Sequence, residues 1–395
     1  MSFRAVIGVS QNPDSLEAGE MAARMALEQA GREPIAFGWL MVSHIHTIGE
    51  VLAGVSAVLG NVPLMGVSTS AELTANGRSR RSVILAALTG GELQARAGWW
   101  GNYAEDVRLS VEQMLRSLRL EAENSDILLL AADGVSGDVD ALRQSLTHLH
   151  CDITGCLAGG ELWKGRTYQV GGRQSGSGGL GAAVLSGDIV IGQGAAHGWQ
   201  SVGIVSRITS VKDHWLRALD DKPVSELYAR LFGQSARAWV HPPLSELVRL
   251  YPLGRQEAEG MVLYSPLRME ADGSLRMNGE LPANGVVELM VGSPERCRQA
   301  AQQAARQAKE ALGPTMPRLA LVFVDEAWRA LFELEPRAEV EAVQEVIGAD
   351  TPIIGGYTFG QIMRPTRGNG LQILNQHILV VLFGVRSVEV GGVVA

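Results

Sequence analysis

The chain carries one short phrase twice. PLMGVSTSAEL occupies residues 63–73 and PIIGGYTFGQI residues 352–362. Laid over one another, the two agree at Pro, Gly and Thr, place aliphatics at the second, third and last positions, and set an acid or its amide at the tenth. A fainter third version, DITGCLAGGEL at residues 152–162, keeps Gly155, then Glu161 six residues on, and closes on Leu162; Glu72 and Gln361 stand at the same distance from Gly66 and Gly355. The third version follows DILLLAADGVSGDVDALRQSLTHLH and the last follows LALVFVDEAWRALFELEPRAEVEAVQEVIG, each of which reads as strand, polar loop, helix. The recurrence predicts a reused structural unit, a repeat of architecture rather than of whole sequence.

Helix ends are legible around these phrases. Asp14, with Glu17 three residues on, predicts a capped helix over residues 14–31, with Ala18, Met21, Ala22, Met25 and Ala26 on its buried stripe. Ser293 and Pro294 open a second helix that stops at Gly313 and Pro314, with Cys297, Ala300, Ala301, Ala304 and Ala308 on one narrow face that implies close packing on a sheet. Short aliphatic runs such as AVIGVS, SVILAAL, DILLLAA, RLALVFV and QHILVVLFGV supply the strands. Helices alternate with these runs, so the expected class is α/β, two related domains with mixed β-sheets covered by helices, divided as residues 1–218 and 219–395. A length of 395 residues fits two domains better than one core.

Composition narrows the function. A formal charge of −8 and the absence of any Lys/Arg stripe argue against nucleic acid as a partner. Cys151, Cys156 and Cys297 are too few and too unevenly spaced for a disulfide framework, and the N-terminus lacks an apolar signal segment, which together point to a cytoplasmic protein. Residues 34–68 carry Glu50 as their one formal charge, but His44, His46, several glycines and Pro63 break the run, so no membrane insertion is expected.

A strand that ends at Gly and enters a Ser/Thr-rich turn would expose backbone N–H groups beside hydroxyl donors, a cradle for an anion or carboxylate. At the first copy this places Gly66, Ser68, Thr69 and the neighbouring Ser70 around the cradle, with Glu72 facing a cationic group; at the last it places Gly355, Tyr357, Thr358 and Gln361. The bland alternative is that the glycines permit tight strand exits and the hydroxyls satisfy nearby backbone. Weaker signals are set aside. GSGGLG at residues 176–181 precedes a strand where a dinucleotide fold needs a helix. HLHC at residues 148–151, with Cys156 nearby, lacks zinc-knuckle spacing, and HIH with His44 and His46 has no third ligand, so no metal and no cofactor are expected. Asp220 and Asp221 read as a turn before Lys222 and Pro223. An acyl-transfer or hydrolytic enzyme with Ser68, Thr69 or a cysteine as nucleophile and His197 as base remains the rival, although no nucleophile elbow is present; a pure interaction scaffold is a third alternative.

These residues together resemble the FIST family. GVSTSAEL is similar to its small-residue, Ser-Thr, acidic turn. AHGWQSVGIVSRITSVKDHWLRALDDKPVSELYARLFG is similar to its His-Gly-Trp segment leading into a Lys-Pro helix entry, and YPLG, GGYTFGQI and LNQHILVVLFG resemble marks of its C-terminal domain. The resemblance implies an N-terminal and a C-terminal FIST domain over nearly the whole chain, acting as a non-catalytic, ligand-binding sensory module of intracellular signal transduction. It implies a small-molecule ligand such as an amino acid, and a signalling protein supplied in trans. In that picture Ser68, Thr69 and Glu72 hold the ligand while His197, Trp199, Tyr357 and Thr358 close the site. Two departures from the family pattern, Asp325 where a Cys is usual and Gln361 where Glu is usual, would alter the charge preference for the ligand.

Overall fold

The computed structural model describes residues 3–386 apart from 91, 121–125, 162–163, 242–243, 258–259 and 366–369; Leu162, which closes the third phrase, lies outside the described residues. The architecture is α/β, with mixed sheets covered by helices in a two-domain arrangement built on one repeated unit. The first unit runs β1 (Arg4–Ser10), α1 (Ser15–Ala30), β2 (Ile35–Ser43), α2 (Ile48–Leu59), β3 (Leu64–Thr69), a hairpin β4 (Glu72–Thr74) and β5 (Gly77–Ser79), and β6 (Val83–Thr89). The second repeats this order as β7 (Gln94–Trp100), α3 (Val107–Leu118), β8 (Ile127–Ala132), α4 (Val139–Ser145), β9 (Asp152–Leu157), hairpin β10 (Tyr168–Gly171) and β11 (Gln174–Ser177), and β12 (Leu180–Ser186).

The third unit begins with β13 (Ile189–Ala196) and then carries an insertion. The insertion comprises β14 (Trp199–Lys212), β15 (Trp215–Leu219), β16 (Lys222–Pro223), α5 (Val224–Phe232), α6 (Leu244–Leu247), β17 (Leu253–Glu257), β18 (Gly260–Tyr264), β19 (Pro266–Met269), β20 (Leu275–Met277) and β21 (Val286–Gly292), which together form an eight-stranded sheet with its own small core. The unit resumes with α7 (Pro294–Leu312), β22 (Leu319–Asp325), α8 (Glu326–Leu331), α9 (Ala338–Ile347), β23 (Ile353–Thr358), hairpin β24 (Gly360–Met363) and β25 (Gln372–Leu374), and β26 (Ile378–Val385).

Each unit has a parallel pair at its centre, β2 with β3, β8 with β9 and β22 with β23. None keeps its own hairpin. β4 leaves the first unit to pair with β23 of the third, β24 leaves the third to pair with β9 of the second, and β10 leaves the second to pair with β3 of the first. The three six-stranded sheets therefore have one and the same strand order and are interlocked in a cycle.

Period-2 alternation explains the burial. In β2 the side chains of Phe37, Trp39 and Met41 point into a core shared by all three sheets, while Leu40 and Val42 pack under α1 and α2; in β22 Leu321 and Phe323 face the shared core and Val322 and Val324 face the helices. With both faces covered, the strands read as continuous apolar runs. Helix α7 buries the expected cysteine and alanine face against Gly192 and Gly194. Helix α1 has the expected Asp14 cap and the Gly31 stop, but its stripe is rotated: Ala18, Ala22, Ala23 and Ala26 are fully buried while Met21 and Met25 are half exposed. The cause is close approach, since a Cβ on Gly8 would meet the Ala22 carbonyl oxygen at 1.8 Å, leaving room only for small side chains beneath the helix.

Gly66 and Gly355 do not end their strands, which continue to Thr69 and Thr358. A Cβ at Gly66 would lie 2.6 Å from the Leu40 carbonyl oxygen, and one at Gly355 2.0 Å from that of Val322. Both glycines thus permit the parallel partner to approach. Gly66→Ala and Gly355→Ala are each expected to lower stability by about 1–3 kcal/mol, read from urea midpoints, whereas Gly279→Ala, where nothing lies within 4 Å of the added carbon, leaves the midpoint unchanged.

Candidate functional site

The repeated phrases meet at one end of the parallel pairs. Beyond β3 the Ser70 N–H donates to the Tyr357 carbonyl at 3.2 Å; beyond β9 the Gly159 N–H donates to Ser68 at 2.8 Å; beyond β23 the Phe359 N–H donates to Leu157 at 3.1 Å. These are three equivalent positions closing a ring, so the turns after Thr69 and Thr358 are neighbours. A second set of equivalent corners stands just before the last strand of each unit, where Arg81, Gly178 and Gln376 all adopt left-handed backbone at φ 60°, 67° and 63°.

Most of the residues expected to hold a ligand lie beneath this end rather than on its surface. Ser68 is buried, its hydroxyl donating to the Gly159 carbonyl at 2.7 Å and accepting from the Tyr168 N–H at 2.9 Å. Thr69 donates to Glu72 Oε1 at 2.7 Å, and the other Glu72 oxygen accepts the N–H and hydroxyl of Ser82 at 3.0 and 2.7 Å. Thr358 donates to the Gly360 carbonyl at 3.3 Å and accepts from the Gln361 amide at 3.4 Å. Tyr357 donates to Glu339 and sits in the core under α7 and α9. His197 and Trp199 are elsewhere: Trp199 packs against Trp328 at 6.0 Å, and the His197 ring meets that of His377 edge-on at 4.9 Å. Burial lowers the His197 pKa, and burial followed by the neighbouring His197 pushes His377 down to about 3.

Above this floor opens a cleft of about 500 Å³. Its walls come from the residues following β2 (His44, Ile45), β3 (Ser70), β9 (Gly160, Glu161) and β22 (Glu326, Ala327, Arg329), from the corner Arg80–Arg81, and from the insertion (Leu247, Arg249, Leu250). Most of its charges are paired. Arg80 lies 2.7 Å from Glu333, Arg329 Nε 2.6 Å from Glu326 Oε1, and Glu161 within 3.2 Å of both His44 and Lys164. Burial alone would raise the Glu161 carboxyl, but Lys164 and His44 hold it below its ordinary range.

Three groups stand apart. Among the described residues the guanidinium groups of Arg81 and Arg249 have no hydrogen-bonding partner, Arg249 Nε being buried and its head lying 4.9 Å over the Phe359 ring. Glu326 is 7% exposed, and its Oε2 is buried without a partner. Arg249 faces the charge of the buried Asp325 and Glu326 gives its other oxygen to Arg329, so what these three groups have left over is hydrogen-bonding capacity, which a ligand with an anionic end and a donor would satisfy. Reasoning from the sequence did not reach Arg81, Arg249 or Glu326; the equivalence of the three units was the available signal for Glu326, just past a central strand, and for Arg81, at the corner before a last strand, whereas Arg249 belongs to the insertion and had none.

Asp325 is fully buried, which raises its carboxyl pKa, while Arg249 and the N–H groups of Ala327 and Gln376 pull the other way. Glu72 is raised from 4.5 to about 7, because burial outweighs its hydrogen bonds from Ser82 and Thr69. Between those two pH values the folded chain holds a proton that the unfolded chain has released, so the contribution of Glu72 is fully present below about 4.5 and is lost as pH rises through about 7. Glu72→Gln removes this component: the difference in unfolding free energy between wild type and variant is expected to change across that window and to be flat outside it. Parallel stability profiles across the window would refute the assignment.

Residues 36–222 match the FIST N domain and residues 225–364 the FIST C domain. None of the curated proteins matches the chain. Among solved structures, a cyanuric acid hydrolase from A. caulinodans is similar at 14% identity and a TM-score of 0.28, over 47% of this chain and 71% of that one. A second cyanuric acid hydrolase, described as an evolutionary innovation by structural concatenation, is similar at 8% identity and a TM-score of 0.34, over 98% of this chain and all of the other. The two domain matches cover nearly the whole chain, are consistent with a small-ligand sensory module, and establish that the chain belongs to the FIST family.

Proposed function

We propose that the protein is a non-catalytic, cytoplasmic sensor that binds an amino acid or a similar small polar metabolite in the cleft and passes the signal to a partner protein in trans. The observation that carries this is the coexistence of the Arg81 and Arg249 guanidinium groups, which have no hydrogen-bonding partner among the described residues, with the Glu326 Oε2 in a space of about 500 Å³, within the range of small-molecule pockets. A carboxylate between the two guanidinium groups and an ammonium on Glu326 would satisfy all three. Gly66, Ser68, Thr69, Glu72, Gly355, Tyr357, Thr358 and Gln361 would then act from below, fixing the turns on which Ser70 and the rim stand, with His197 and Trp199 supporting the insertion.

The hydrolytic or acyl-transfer alternative is less well supported. The Ser68 hydroxyl is spent on backbone partners. The thiols are buried, Cys151 being raised to about 11 and Cys156 and Cys297 higher still by burial, which suppresses the nucleophilic thiolate.

A thermal-shift screen of amino acids and small carboxylates tests the proposal. A ligand at 100 times its Kd stabilises by roughly 2.7 kcal/mol, and Arg249→Met or Glu326→Gln is expected to weaken it roughly 10- to 100-fold through one lost charge-assisted hydrogen bond. A hit that binds both variants as tightly as wild type would place the ligand elsewhere.

A further inference from the structure

We infer that Gln376 is the positioning residue that sets Arg249 in the cleft, a role that rests on the ligand site proposed above. Arg249 belongs to the insertion, whereas Arg81 and Glu326 belong to the interlocked repeats. Its guanidinium makes no hydrogen bond of its own among the described residues, so the head is placed by its backbone, by the Phe359 ring beneath it and by the charge of the buried Asp325. That backbone forms a short 3-10 turn over Val248–Leu250, whose Leu250 carbonyl accepts from Trp199 Nε1 at 3.4 Å, and the Arg249 carbonyl itself is held by one fully buried side chain. The Gln376 amide nitrogen donates to the Arg249 carbonyl at 3.0 Å and to Ser265 Oγ, also of the insertion, at 2.7 Å. A carbonyl can only accept, which fixes the amide with nitrogen toward Arg249.

Gln376 is in turn pinned to the third repeat on both sides of its peptide. Its N–H donates to Asp325 Oδ2 at 2.9 Å and its carbonyl accepts from Trp328 Nε1 at 2.9 Å. The residue pays for this with left-handed backbone at φ 63°, at the corner equivalent to Arg81 and Gly178. A bulky residue at such a φ is strained, and such strain collects at functional positions. Glycine fills the corner in the second unit. In the first, the corner residue Arg81 itself lines the cleft; in the third, the corner residue holds the backbone of Arg249, a lining residue from another segment. The two arginines thus come to the cleft wall by way of equivalent corners, Arg81 directly and Arg249 through Gln376.

Arginine-selective labelling of the full chain with phenylglyoxal, read by peptide mass mapping, tests this without a known ligand. Gln376→Met, which keeps the bulk and loses the donor, is expected to raise the Arg249 labelling rate several-fold while Arg81 stays at its wild-type rate. Gln376→Asn, shorter by one methylene but tolerant of the left-handed corner, is expected to do the same and serves where the Met variant does not fold. Ser265→Ala, which leaves the bond to Arg249 intact, should not change the rate. An unchanged Arg249 rate in either folded Gln376 variant, a parallel rise at Arg81, or an equal rise in Ser265→Ala would each overturn the role. Small acids that stabilise wild type should bind Gln376→Asn more weakly; undiminished binding would overturn the positioning role and leave the ligand site standing. If the labelling result holds but no acid stabilises wild type, the positioning role stands and the ligand site falls.

Discussion

A ring of three backbone hydrogen bonds, from Ser70 to Tyr357, Gly159 to Ser68 and Phe359 to Leu157, closes the end of the molecule where the cleft lies. Each belongs to a strand that has just left its own sheet for the next one. A hairpin that pairs with another unit leaves its own central strand with an open edge, and that edge is filled only when the remaining unit of the three passes its own hairpin on. An unpaired, buried edge would strand a row of N–H and C=O groups. No unit can therefore satisfy its backbone alone, and the cycle makes the three sheets stable only together. The same exchange dictates the shape above them, because every chain crossing at the ring lifts a turn into the rim.

Polar groups beneath the rim follow from that geometry. The chain turns sharply after Thr69, and the buried Glu72 accepts from Thr69 and from Ser82 at the far end of the hairpin. One carboxyl thus ties the beginning of the crossing to its return. In the third unit Asp325 does comparable work, accepting from Ala327 on one oxygen and from Gln376 on the other. Buried carboxyls are costly unless hydrogen-bonded, and these are. Arg81, Arg249 and Glu326 lie one step outward, on the wall of the cleft, and are the groups that the proposed ligand would complete.

The repeat and the elements around it were legible in the sequence because periodicity and helix ends are local signals. Asp14 and Gly31 bound α1, and Ser293, Pro294 and Gly313 bound α7, where they were expected. The α1 stripe was misjudged because methionine and alanine fit a helical period equally well, and only the closeness of Gly8 decides which faces the sheet. The glycines of the phrase were misjudged for a related reason: a strand glycine can mark an exit or a close approach, and the partner strand that distinguishes them is far away in sequence. Ser68, Thr69 and Glu72 were singled out because they are printed inside the phrase, and they lie buried beneath the cleft; Arg81, Arg249 and Glu326, which line it, were not singled out because they come from separate segments.

Equivalence among the units recovers part of what local reading lost. The tenth position of the phrase is Glu72, Glu161 and Gln361, and the three have diverged in use. Glu72 is sealed inside with Ser82, Gln361 is sealed inside with Thr358, and Glu161 alone opens onto the cleft, where it meets His44 and Lys164. A threefold arrangement with identical units would present one character on every side of its axis. Substitution at equivalent corners, together with the insertion that brings Arg249 over Phe359, breaks that equivalence and gives the cleft walls of different character. The interlocked sheets supply the frame, and the departures from symmetry supply the differences that the proposed site would use.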